Sequence, residues 1–171
     1  MSFESDMSLG EAYERYLMRR FQSEGYHLER YTTRDDQLNY GDLRLGAHGE
    51  GATGVEVKYD RRFHKTGNCF IEVAARHHAT DPTYWPGSLK SPANWSWLWI
   101  GDYRDLFMFK RKDLLELLER DEVRVFEISG GTSHGFLLDE RQRKSLAVGD
   151  RHWPDRLPLG KRSPTRPSSP K

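Results

Sequence analysis

The hexapeptide VEVKYD (55–60) constrains the fold of this chain more than any other stretch. Val55, Val57 and Tyr59 fall on one side and Glu56, Lys58 and Asp60 on the other, the period-two pattern of a strand with one face in a core and one in water. Upstream, Ser8-Leu9-Gly10-Glu11 has the form of a capping box. Leu9, Ala12, Tyr13, Tyr16, Leu17 and Phe21 follow on one side of a helix that Gly25 stops. YHLERY (26–31) reads as a first strand. After a polar stretch (32–39), GDLRLGA (41–47) reads as a short second one, and a glycine-rich turn (46–54) leads into VEVKYD.

Beyond the hexapeptide a basic loop, RRFHKTGN (61–68), precedes the strand CFIEV (69–73), and Pro82, Pro86 and Pro92 break the next connection. WSWLWI (95–100) and DLFMFK (105–110) read as a hairpin about Gly101-Asp102. Asp113-Leu-Leu-Glu116 caps a second helix with Leu114, Leu115, Leu117 and Leu118 as its core stripe, and VRVFEI (123–128) and HGFLL (134–138) read as further strands. No internal repeat appears. The pattern is that of a mixed α/β (α+β) domain.

At 171 residues with 12% aromatics, the chain has the size and the bulky side chains of one folded domain. The single cysteine, Cys69, excludes an internal disulfide framework and a multi-cysteine zinc site, and its alternation with core positions assigns it to packing. No apolar run approaches the roughly 20 residues of a membrane span, and the first ten residues carry acids and no base, unlike a secretory leader. The expectation is a cytoplasmic protein without membrane contact, in the host cytoplasm if phage-encoded. The net charge of +1 hides an asymmetry. Residues 151–171 hold Arg151, Arg156, Lys161, Arg162, Arg166 and Lys171 against Asp155, with five of the eight prolines. The expected organisation is therefore a domain over 1–150 and a basic, proline-rich, flexible tail over 151–171. A basic arm on an acidic body points to a polyanionic partner.

Asp42, Glu56 and Lys58 are the residues with chemistry to offer. Glu56 and Lys58 lie two apart on one strand, so they share a face about 6.6 Å apart. An aspartate entering from the neighbouring short strand would complete a cluster of two carboxylates and an ammonium. Carboxylates are the ligands Mg²⁺ takes, alongside waters and phosphate oxygens. An ion held there lowers the pKa of a bound water and neutralises charge on a phosphodiester. A lysine beside it would orient or deprotonate the water, or stabilise developing charge. In a chain with 26 acids an acid two residues before a lysine carries little weight alone, and a solvated Glu/Lys pair is the plain alternative. Its place on a convincing strand, after a short strand opening Gly-Asp and behind an acid-bearing helix, raises it.

These pieces resemble the PD-(D/E)XK nucleases, in particular the Holliday-junction-resolvase-like and phage-type members. The likeness runs through GEAYERYLMRRFQSEGY (10–26), GDLRL (41–45), VEVKYD (55–60) and TGNCFIEV (66–73), and spans roughly 8–140. It implies a restriction-endonuclease-like αβββαβ core, a mixed central sheet flanked by helices. It also implies Mg²⁺- or Mn²⁺-dependent hydrolysis of DNA phosphodiesters with Asp42 and Glu56 on the metal, Lys58 beside them and Glu14 as a helix-borne catalytic glutamate. By analogy it allows a homodimer, and it does not exclude RNA. Gly41 stands where the motif has its nominal proline, and the usual second helix is poorly marked in DPTYWPGSLKSPAN (81–94). Glu72, on the next strand, is a further carboxylate that could support the site or simply pair with a base. Arg61, Arg62 and Lys65 form a basic loop suited to phosphates. Trp95, Trp97 and Trp99 share a strand face whose expected use is packing rather than base stacking. The alternative to an endonuclease is a catalytically inactive nucleic-acid-binding protein of the same fold.

Overall fold

Helix α1 (Phe3–Ser23) and strands β1 (Leu28–Arg30), β2 (Leu43–Leu45) and β3 (Thr53–Tyr59) build the first half of the molecule, with a short helix α2 (Arg34–Tyr40) between β1 and β2. The computed structural model describes residues 3–46 and 52–154. The glycine-rich turn before β3 falls mostly outside the described residues. Tyr13, Tyr16, Leu17 and Phe21 of α1 are buried, as the stripe requires. Gly25, at φ +88°, ends the helix: Gly25 N–H donates to the Gln22 carbonyl and Tyr26 N–H to that of Phe21, the paired bonds of a Schellman cap. The start differs from expectation. Helix α1 begins before Ser8, so Ser8 lies within the helix and does not cap it, and Glu11 pairs with Arg15 and Arg30.

Strands β6 (Trp97–Gly101) and β7 (Asp105–Lys110) form the expected hairpin, and β10 (Gly149–His152) adds to β7. The result is a six-stranded mixed sheet in the order β1-β2-β3-β6-β7-β10, with β3 and β6 parallel. Residues 151 and 152 are therefore strand, and Trp153 is buried behind them, so the folded part runs past the boundary expected at 150; residues 155–171 of the tail lie outside the described residues. Between β3 and β6 the chain forms no long helix. It makes a single turn, α3 (Phe63–Thr66), and then β4 (Cys69–Ala75) and a two-residue β5 (Trp85–Pro86). These two join β8 (Phe126–Ile128) and β9 (Ser133–Leu138) in a separate antiparallel sheet, β5-β4-β9-β8.

Helices flank this mixed sheet. Helix α1 covers one face, burying Val55, Val57, Trp99, Leu106, Met108 and Trp153. The other face packs Leu98, Ile100, Phe107 and Phe109 against Ile71, Phe136 and Leu138 of the second sheet and against Leu114 of α4 (Arg111–Glu119). Helix α4 begins two residues before Asp113, with Lys110 as its N-cap, so Asp113 is a first-turn acid rather than the cap. The tryptophans divide: Trp97 and Trp99 pack on the α1 side, Trp95 lies in the other cluster. Packing thus claims all three. The last helix, α5 (Glu140–Leu146), opens on a capping box of Asp139 and Gln142. No helix among the described residues is long and apolar enough to cross a membrane.

Candidate active site

The alternation of β3 commits Val55 and Val57 to the α1 side, which turns Glu56 and Lys58 to the opposite face. Strand β2 runs antiparallel to β3 with Leu43 opposite Val55, and Asp42 sits one residue beyond that pair. There Asp42 N–H donates to the Val55 carbonyl (2.9 Å), and the Val57 N–H donates to Asp42 Oδ2 (2.8 Å). The two bonds bracket Glu56 and hold the Asp42 carboxylate beside it.

The bend that permits this is made at Gly41, with φ +88° and ψ −162°. That combination is open essentially to glycine alone. A Cβ there would also lie 2.9 Å from the Val55 carbonyl oxygen. Proline, with φ held near −65°, could not stand at this position. The departure from the nominal motif is thus a requirement of this backbone.

Lys58 Nζ lies 2.8 Å from Glu56 Oε1. Burial opposes the ammonium charge, but Glu56 and Asp42, with a smaller contribution from Glu72, hold the Lys58 pKa above its ordinary value. Asp42 moves the other way. Burial first, then the Glu56 charge, with Glu14 adding to it, push its carboxyl up to about 7 against the opposing pull of Lys58 and the Val57 N–H. Two carboxylates thus share one ammonium. Among the described residues no three His, Cys, Asp or Glu side chains come together as a ready metal site.

The remaining residues take outer positions. Glu14 is buried on α1 and accepts a 2.6 Å bond from Arg30 Nε, so it acts on Asp42 through its charge. Glu72 belongs to the second sheet, where Ser133 Oγ donates to it at 2.9 Å. Arg61, Arg62 and Lys65 are exposed just past the end of β3, around α3; the expected loop there is a helical turn pinned by buried Phe63. Sequence reasoning overlooked Arg111. Its guanidinium lies 4.2 Å from the Trp95 ring and donates to the carbonyls of Leu89, Ser91 and Ala93, fastening the loop ahead of β6 within reach of the Glu56 charge. A lone arginine after a strand carries no signal of such a role.

No protein-family model and no curated protein matches this sequence. Among solved structures, the chain is similar to a bacterial homing endonuclease, with a TM-score of 0.50 and 14% identity over 84% of this chain and 82% of that one. At that identity the likeness is one of fold, a mixed central sheet flanked by helices.

Proposed function

We propose that this chain is a divalent-metal-dependent endonuclease of the PD-(D/E)XK type that hydrolyses DNA phosphodiester bonds. The observation that carries the reading is the Asp42–Glu56–Lys58 arrangement, with Asp42 bracketed against β3 and Lys58 hydrogen-bonded to Glu56. The fold likeness to a homing endonuclease agrees with it.

Asp42 and Glu56 would hold Mg²⁺ or Mn²⁺. Two protein carboxylates are a number Mg²⁺ commonly takes, the rest being waters and substrate oxygens. Asp42, lifted to about 7 by burial first and by the Glu56 charge second, is also a carboxylate that a nearby cation would favour in its charged form. When bound, the ion supplies charge neutralisation at the phosphate and a more acidic water. Lys58 stays protonated and keeps 42% of its side-chain surface open, so its ammonium can donate to a phosphate oxygen or orient the attacking water. Glu56 fixes its position. Glu14 and Glu72 add negative charge around this pair, and Arg61, Arg62 and Lys65 would meet flanking phosphates.

The test is incubation of the whole protein with linear, circular and four-way-junction DNA in Mg²⁺, Mn²⁺ or EDTA. Cleavage is expected in the metal arms only, and is lost in Asp42→Asn, Glu56→Gln and Lys58→Ala. DNA binding without cleavage in any arm would instead make this a non-catalytic nucleic-acid-binding protein.

A further inference from the structure

Helix α2 has no buried residue. Polar bonds hold it instead: the Thr33 cap on Asp36 N–H, Gln37 Nε2 to the Tyr31 carbonyl (2.9 Å) and Asn94 N–H to the Asn39 carbonyl (2.5 Å). At its end Tyr40 is 42% exposed, and its ring stacks on Tyr31 with centroids 5.6 Å apart and planes 27° from parallel. An exposed tyrosine needs no explanation by itself. The placement of this one does.

Three observations tie the ring pair to the site. Tyr40 immediately precedes Gly41 and Asp42, so the bend that aims Asp42 also sets Tyr40. Tyr31 N–H donates to the Asp42 carbonyl at 3.1 Å, so the backing ring is anchored to the same residue. Gly54 shares a face of β3 with Glu56 and Lys58, and a side chain at Gly54 would run into the Tyr40 carbonyl. The Tyr40 backbone therefore lies against the functional face of β3 at Gly54, two residues or about 6.6 Å along the strand from Glu56, and the ring it carries is stacked on that of Tyr31. Asp35 and Asp36 outweigh Arg34 on the same helix, so α2 offers a phosphate little. An open aromatic ring offers a base a stacking surface.

We propose that Tyr40, backed by Tyr31, is the stacking platform for the base flanking the scissile phosphate, and that the substrate is DNA with an unpaired base there: a single strand, flap or branch rather than continuous duplex. This rests on the nuclease reading for the position of the phosphate. A base inside a duplex already has two stacking neighbours and cannot lie on a protein ring without leaving the helix.

The experiment uses the full chain with single-stranded, branched and duplex DNA carrying 2-aminopurine, in EDTA for binding and in Mg²⁺ for cleavage. The wild type is expected to favour single-stranded and branched DNA and to quench 2-aminopurine at the branch. Tyr40→Ala is expected to weaken binding to branched DNA about 5- to 100-fold and to lose the quench. Tyr40→Phe and Tyr40→Trp should keep both, which separates stacking from misfolding, and Leu137→Ala, exposed on the second sheet, should match the wild type. Wild-type affinity and quench in Tyr40→Ala overturn the platform, and if the wild type still cleaves, the nuclease reading stands. A Tyr40-dependent quench without cleavage in Mg²⁺ supports the platform and overturns the nuclease.

Discussion

Asp42 is charged at neutral pH only against resistance from its surroundings, and that resistance has a consequence for stability. Its folded pKa of about 7 lies above the ordinary carboxylate value, so the folded chain holds this proton more tightly than the unfolded one. The associated stability is therefore present at low pH and is lost as pH rises through about 7. Asp42→Asn keeps an acceptor for the Val57 N–H and removes the charge. It should be more stable than the wild type by about 1–3 kcal/mol at pH 8, with the gap closing towards pH 4. Urea unfolding at the two pH values checks this, and an equal gap at both would sink it. Gly41 gives a second prediction at this scale. Gly41→Ala should cost about 1–3 kcal/mol for its backbone conformation, and more through the close Val55 carbonyl, while moving Asp42 out of register. Cleavage should fall with it, and a Gly41→Ala protein with wild-type melting and turnover would remove Gly41 from the account. Asp42, Glu56 and Lys58 were legible because alternation on β3 and the Gly-Asp opening are local patterns. The reason for Gly41 was not, because a positive φ and an approach to a neighbouring strand are properties of the folded backbone.

Elements were legible in proportion to the apolar surface they bury. Strand β7 and the stripe of α1 announced themselves, whereas α2 buries nothing and α5 only Arg143, so neither carries a hydrophobic period. Their signals were capping patterns, Thr33 with Asp36 and Asp139 with Gln142, which pass easily for loop residues. Strand β10 was hidden by composition, since Arg151 and His152 are polar and adjoin a proline-rich stretch. Its anchor is Trp153, which is buried, meets Tyr16 and Phe21 edge-on and donates from Nε1 to Glu24 Oε1 at 3.1 Å. Arg151 also pairs with Glu24. A chain ending at Pro154 should therefore melt like the full protein. One ending at Asp150 should lose about 3–5 kcal/mol, the cost of removing a buried tryptophan. Denaturant midpoints of the two truncations decide it, and equal midpoints would mean that β10 contributes nothing to the core.

At the scale of the whole molecule, the separate second sheet was illegible for a physical reason. The inward side of β4 (Cys69, Ile71, Val73) reads the same whether its strand extends the first sheet or packs face to face upon it, because partner choice is set by long-range pairing with β9. Charge, by contrast, reads directly from the sequence. Residues 1–150 carry a net −4 and would on balance repel a phosphate backbone, while 151–171 carry +5. Arg151 is spent on Glu24, which leaves Arg156, Lys161, Arg162, Arg166 and Lys171 as the tail's other basic residues. If these five residues supply the non-specific grip on DNA, a chain ending at Pro154 should keep its fold and bind DNA more weakly at low salt. Its dependence of log K on log salt should be shallower by roughly 0.9 for every duplex phosphate that the tail no longer neutralises. Cleavage at saturating protein should persist, because Asp42, Glu56 and Lys58 lie far from the truncation in sequence. Binding isotherms at several salt concentrations measure the slope, and an unchanged affinity and slope would place the grip on Arg61, Arg62 and Lys65 instead.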